Sequence, residues 1–142
     1  MFLLHTDHLQ VIQRQKEPEF GRLAGRMSKH APSAFYVSIL SFQEQTAGCH
    51  AYADGAKTSE DMIRACRMFR SVLADFAAMQ VLTFDEPAAE IFGSLRRQHV
   101  EIATVDLQMA SIALSHRLRL LSQNLGEFFK VPRLTVEDWT VA

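Results

Sequence analysis

His5, Asp7, Glu44 and Asp106 are the side chains in this 142-residue chain whose types and positions could do chemistry together. Each lies at the edge of an apolar run: Phe2-Leu-Leu4 before His5 and Asp7, Ala34-Phe-Tyr-Val-Ser-Ile-Leu40 before Glu44, and the small-residue stretch Ala103–Leu114 around Asp106. Asn124 and Glu127 follow one more such run. Carboxylates brought close together repel and raise one another's pKa unless a cation lies between them. A fold that gathers these acids therefore implies a divalent metal. Mg²⁺ and Mn²⁺ favour carboxylate and water oxygens, and such centres activate water and stabilise a leaving oxygen in phosphodiester hydrolysis.

Taken singly, each residue also has a structural role open to it. Asp106 in the first turn of a helix complements the helix dipole. Glu44 closes Ser41-Phe-Gln-Glu44, a capping box. Asp7 can cap a first helix, and His5 at a buried strand end can be a hydrogen-bonded core imidazole. Asn124 reads as a turn residue and Glu127 as a solvated one.

The elements that must position these groups alternate in type. Phe2–Leu4 reads as a short buried strand feeding a helical turn or two through Leu9, Val11 and Ile12. Pro18 sits near the start of an amphipathic helix carrying Phe20, Leu23, Ala24 and Met27, which stops before Pro32. Residues 34–40 are aromatic and β-branched, a second strand, with a helix from Ser41 to about Asp54-Gly55. Thr58-Ser-Glu-Asp61 opens the longest helix, whose apolar face runs from Met62 to Ala77. Val81–Phe84 is a third strand, stopped where Asp85 caps a helix with Pro87 in its first turn. Residues 102–114 are apolar around most of their girth, which predicts a central helix. Strands follow at Leu118–Leu121 and Leu134–Val136, with a short turn at Leu125–Phe129 between them. Such alternation specifies an α/β fold, a parallel sheet of about four to five strands covered on both faces by helices. In such sheets ligands bind beyond the C-terminal strand ends, where His5, Asp7, Glu44 and Asn124 would fall.

Length and composition point to one domain, residues 1–142. Cys49 and Cys66 lack metal-type spacing and fall in predicted helices, as expected of a soluble protein of the reducing cytoplasm. No apolar run approaches the roughly 20 residues of a spanning helix, so no membrane association is expected. A net charge of −1 excludes a generally basic nucleic-acid coat but leaves room for a local patch. No glycine-rich phosphate loop appears. A phosphoacceptor receiver would want paired acids after the first strand, and only Asp7 is there.

Leu4-His-Thr-Asp-His-Leu9, Val37-Ser-Ile-Leu-Ser-Phe-Gln-Glu-Gln45, Ala103–Leu114 and Leu120-Leu-Ser-Gln-Asn-Leu125 occur in an order that resembles the PIN-domain ribonucleases, and specifically the VapC-like toxins of bacterial toxin–antitoxin pairs. The resemblance extends through Phe128–Leu134 and Val136-Glu-Asp-Trp139, so it covers nearly the whole chain. It implies a three-layer PIN fold and a cytoplasmic endoribonuclease dependent on Mg²⁺ or Mn²⁺, with an RNA substrate, a small antitoxin partner and a homodimeric state. The family's second and third acids fall on Glu44 and Asp106, and its fourth position on Asn124. The first acid falls on His5. The implied catalytic set is Asp7, Glu44 and Asp106, the implied metal ligands are His5, Asp7, Glu44 and Asp106, and Thr6 and Asn124 would support them from behind.

The histidine is the chief departure from the family pattern. A neutral imidazole ligates Mn²⁺ but brings no negative charge, and Mg²⁺ binds nitrogen poorly. Asp7 would restore charge if strand geometry carried it onto the face of His5. The alternative function is a catalytically degraded PIN domain that binds RNA or an antitoxin. Arg64, Arg67 and Arg70, with Arg96, Arg97, Arg117 and Arg119, form either a solvated face or a contact for an RNA backbone, though no RNA-binding residue is singled out. Met62, Met68 and Phe69 read as core or dimer surface.

Overall fold

A computed structural model describes residues 1–142. Five strands and seven α-helices alternate: β1 (Phe2–Leu4), α1 (Thr6–Arg14), α2 (Glu19–Met27), β2 (Phe35–Ser38), α3 (Ile39–Asp54), α4 (Ser59–Ala77), β3 (Val81–Leu82), α5 (Glu86–Arg97), α6 (Thr104–Ser115), β4 (Arg119–Leu121), α7 (Leu125–Phe128) and β5 (Val136–Glu137). The strands form one parallel sheet in the order β3-β2-β1-β4-β5. The chain grows outward from β1 to β3 and then returns to the other side of β1. The C-terminal end of β1 therefore lies at the point where the connection reverses, where α/β sheets open a crevice.

Alternation along the short strands divides the core into two layers. Leu3 and Leu120 face Leu95, Met109, Ile112 and Phe128, while Phe2, Leu4 and Leu121 face Leu9, Leu23, Val72, Phe76 and Trp139. Helix α6 is buried along Leu107, Met109, Ala110, Ser111, Ile112 and Ala113, as its all-round apolar surface requires. Its alanines let α5 pack beside it.

Several boundaries differ from the sequence expectation. The helix after β2 begins at Ile39 rather than Ser41, because the Ser38 hydroxyl already accepts the Leu40 and Ser41 amides at 3.2 and 3.4 Å. The expected capping box is thus absent, and Glu44 lies in the second turn of α3 with no capping role. Strand β3 stops at Leu82; Phe84 leaves the sheet to pack edge-on against Phe92, centroids 5.7 Å apart. The last strand runs Val136–Glu137 rather than Leu134–Val136: Arg133 adopts a left-handed φ of 67° after Pro132, and the chain enters the sheet late.

Candidate active site

Helix α1 starts directly after β1, with His5 as its N-cap residue and Asp7 in its first turn. The strand does not continue, so Asp7 does not reach His5 by the two-residue period of a sheet. The first helical turn brings it back instead, and His5 Nδ1 lies 2.9 Å from Asp7 Oδ2. On its other side His5 Nε2 lies 2.9 Å from Oδ1 of Asp106, in the first turn of α6, a residue 101 positions away in sequence. The ring bridges two carboxylates and is edge-on to Phe128, centroids 5.4 Å apart. The Asp7 amide is also 3.4 Å from Nδ1, a longer contact that the shorter N–H to carboxylate bond overrides.

Asp7 is saturated. Its Oδ2 accepts from His5 Nδ1, from the Ser122 hydroxyl at 2.9 Å and from the Gln123 amide at 3.0 Å, and its Oδ1 accepts from His8 Nδ1 at 2.7 Å. His8 is fully buried, and its Nε2 accepts the Trp139 amide at 3.1 Å, which leaves the ring proton on Nδ1 to face Asp7. These bonds tie the β1–α1 junction to the β4–α7 junction and to the C-terminal segment. Burial opposes the charge on Asp7, but hydrogen bonds from His5 and then His8 outweigh it and hold the carboxyl well below the usual carboxylate range. Burial likewise opposes a charged His5, yet hydrogen bonds to Asp106 and Asp7, aided by their charges, carry it from 6.5 up to about 9.

Glu44 reaches the same strand end from α3. Its Oε1 accepts from the Thr6 hydroxyl at 2.7 Å, and that hydroxyl lies 2.8 Å from the Ser41 hydroxyl. Thr6 is therefore the link between Glu44 and the neighbouring His5. Asn124 stands next in the chain to this cluster: its amide donates to the Ser122 hydroxyl at 3.0 Å, and it opens α7 without a side-chain cap bond. Glu127 points away and pairs with Lys130 at 3.2 Å. The roles of Ser122, Gln123 and His8 were not assigned from sequence. His8 beside Asp7 was the available signal; Ser122 acts only through the sheet pairing that puts β4 beside β1.

The donor set can be tested against a divalent ion. No three His, Cys, Asp or Glu side chains converge on one point, and both oxygens of Asp7 are taken. The other candidates are His5 Nε2 and Asp106 Oδ1, hydrogen-bonded to each other at 2.9 Å, and Glu44, joined to the residue after His5 by its bond to Thr6. That 2.9 Å contact is a hydrogen bond, so a divalent ion held by this pair would take the place of the proton between them. A nitrogen beside carboxylate oxygens fits Mn²⁺ and does not fit Mg²⁺. The Asp7 carboxylate behind Nδ1 completes the arrangement by which proteins orient a metal-binding histidine.

No family model matches the chain. Toxin FitB of Neisseria gonorrhoeae is 30% identical over 143 residues, covering 98% of this chain and 99% of that protein. The structure of FitAcB from Neisseria gonorrhoeae superposes with a TM-score of 0.72 at 26% identity over 98% of each chain. VapBC-1 from nontypeable Haemophilus influenzae shares the fold, with a TM-score of 0.74 at 22% identity over 99% of this chain and 98% of that one.

Proposed function

Because this chain belongs to the PIN-domain toxins of the VapC-like type, we propose that it is the RNA-cleaving half of a toxin–antitoxin pair, an endoribonuclease dependent on Mn²⁺ rather than Mg²⁺. The observation that carries the reading is His5 Nε2 set beside Asp106 Oδ1 at 2.9 Å, with Asp7 fixed behind the ring. His5, Asp106 and Glu44 are the residues that would hold the ion, Glu44 giving up its bond to Thr6 to do so. A bound divalent ion supplies an activated water and charge for the phosphodiester oxygens. Asp7, with its oxygens committed to His5, His8, Ser122 and Gln123, positions the imidazole and does not ligate. Asn124 stands in the remaining family position and adds no charge. A small antitoxin partner, a cytoplasmic setting and a homodimer accompany this reading.

One observation favours a second reading. With no ion bound, both His5 nitrogens are given to carboxylates, so a charged ring fills the place where a cation would sit. The chain would then be an RNA- or antitoxin-binding module that does not cleave. Calorimetric titration of Mn²⁺ and Mg²⁺ into the wild type and His5→Asp, with RNA cleavage measured in parallel, separates the two. The nuclease reading expects Mn²⁺ to bind and support cleavage by the wild type, Asp106→Asn to abolish both, and His5→Asp to gain Mg²⁺. A wild type that binds no Mn²⁺ at millimolar concentration and leaves RNA intact establishes the binding module. Cleavage that persists in Asp106→Asn removes the metal mechanism.

A further inference from the structure

Glu44 also lines a cleft of about 920 Å³ between α1, α3 and α4, together with a second carboxylate, Asp75. Arg64 and Arg67, three residues apart on α4, stand on one wall, and Arg14 at the end of α1 stands on another. None of the three has a carboxylate within ion-pair distance; the protein's one arginine–carboxylate pair is Arg119 with Glu137 at 3.5 Å. Arg64 lies over the Tyr52 ring, 5.6 Å from its centroid. The side chains of Gln13 and Gln45 bond each other reciprocally at 2.7 and 3.0 Å between the walls, and Gln13 also ties down Asp75. The cleft thus presents three guanidinium groups with no carboxylate partner, alongside Glu44, Asp75 and the apolar side chains of Met68 and Val72.

We propose that this cleft is a phosphate track for RNA, in which Arg14, Arg64 and Arg67 grip the backbone of a strand that passes Glu44. The inference rests on the reading that the chain acts on RNA, but not on whether it cleaves. An anionic polymer is the ligand that unpaired arginines on opposing walls would hold, since it releases counterions as each phosphate is neutralised. Among the cleft-lining residues there is no aromatic side chain on which a base could stack, so the track reads the backbone and not the sequence. An acidic protein segment is the competing occupant. Gln10, which lines the cleft, adds an amide donor and acceptor for phosphate and ribose beside the three arginines.

Fluorescence anisotropy with a labelled single-stranded RNA in EDTA tests this, with Arg64→Ala/Arg67→Ala compared against the wild type and against Arg70→Ala, which changes an exposed arginine of α4 outside the cleft. The double variant should bind roughly tenfold more weakly, with the slope of log K against log salt less negative by about 1.4, two contacts at about 0.7 each. Arg70→Ala should bind as the wild type does. Wild-type binding that is equally strong and equally salt-dependent in the double variant overturns the track while leaving the RNA reading intact. A wild type that does not bind RNA at all overturns both. If a polyglutamate peptide of matched charge loses as much affinity as RNA does, the cleft serves an acidic protein segment and the RNA assignment fails.

Discussion

At the scale of single residues, the site is a set of coupled charges. His5 is carried up to about 9 in the fold, above its ordinary 6.5, so its contribution to stability is complete below pH 6.5 and is lost as pH rises through 9. Asp7 is held below its ordinary 3.8, so its contribution is present above pH 3.8 and is lost as pH falls through the lowered value. Protein freed of metal with EDTA should therefore resist urea best between pH 3.8 and 6.5 and weaken steadily from 6.5 towards 9. The His5→Gln variant should lack most of that alkaline decline, since a carboxamide does not titrate. Midpoints that fall equally in wild type and variant over this range would mean that His5 carries no charge in the fold. The types of these residues were legible in the sequence, but the state of Asp7 was not. Two of its four hydrogen-bond donors come from Ser122 and Gln123, which only sheet pairing brings near.

At the scale of elements, the sequence pattern placed every strand and every helix except α7, read as a turn, but not every end, and the reason is local hydrogen bonding. Ser38 and Ser41 both precede helical residues, and Ser41-x-x-Glu44 satisfies the capping pattern. Ser38 takes the role because its backbone is extended, φ −101° and ψ 153°, and its hydroxyl meets the Leu40 and Ser41 amides. Ser41 is left inside α3, where its hydroxyl supports Thr6 and so, at one remove, Glu44. Ser38→Ala should lower stability by about 1 kcal/mol, with the denaturant slope unchanged. Amide exchange should quicken at Leu40 and Ser41, the two amides that lose their acceptor. Protection retained at both would show that Ser38 is not the cap. Helix α6 was the most readable element, because an apolar surface on all sides leaves burial as the only favourable outcome.

At the scale of the whole molecule, the C-terminal segment closes the layer that carries the site. Trp139 is buried against Phe2, Phe35 and His30, with ring centroids 4.7, 6.1 and 5.7 Å away. Its amide holds His8, whose other nitrogen holds Asp7. Arg26 adds bonds from α2 to the carbonyls of Asp138 and Val141, and Arg22 to that of Thr140. None of these tertiary links is visible in the spacing of the sequence, because they join residues more than 100 positions apart. The arrangement separates two effects of changing Trp139. Trp139→Ala removes a large buried ring and should cost about 3–5 kcal/mol in urea unfolding. Its backbone amide remains, so at pH 7 and in low urea the His8–Asp7 bond should persist, and the His8 ring resonance should keep its wild-type position. Trp139→Phe, which keeps an aromatic ring in the stack, should recover most of the loss. A Trp139→Ala protein as stable as the wild type would mean that the segment lies on the core without being part of it.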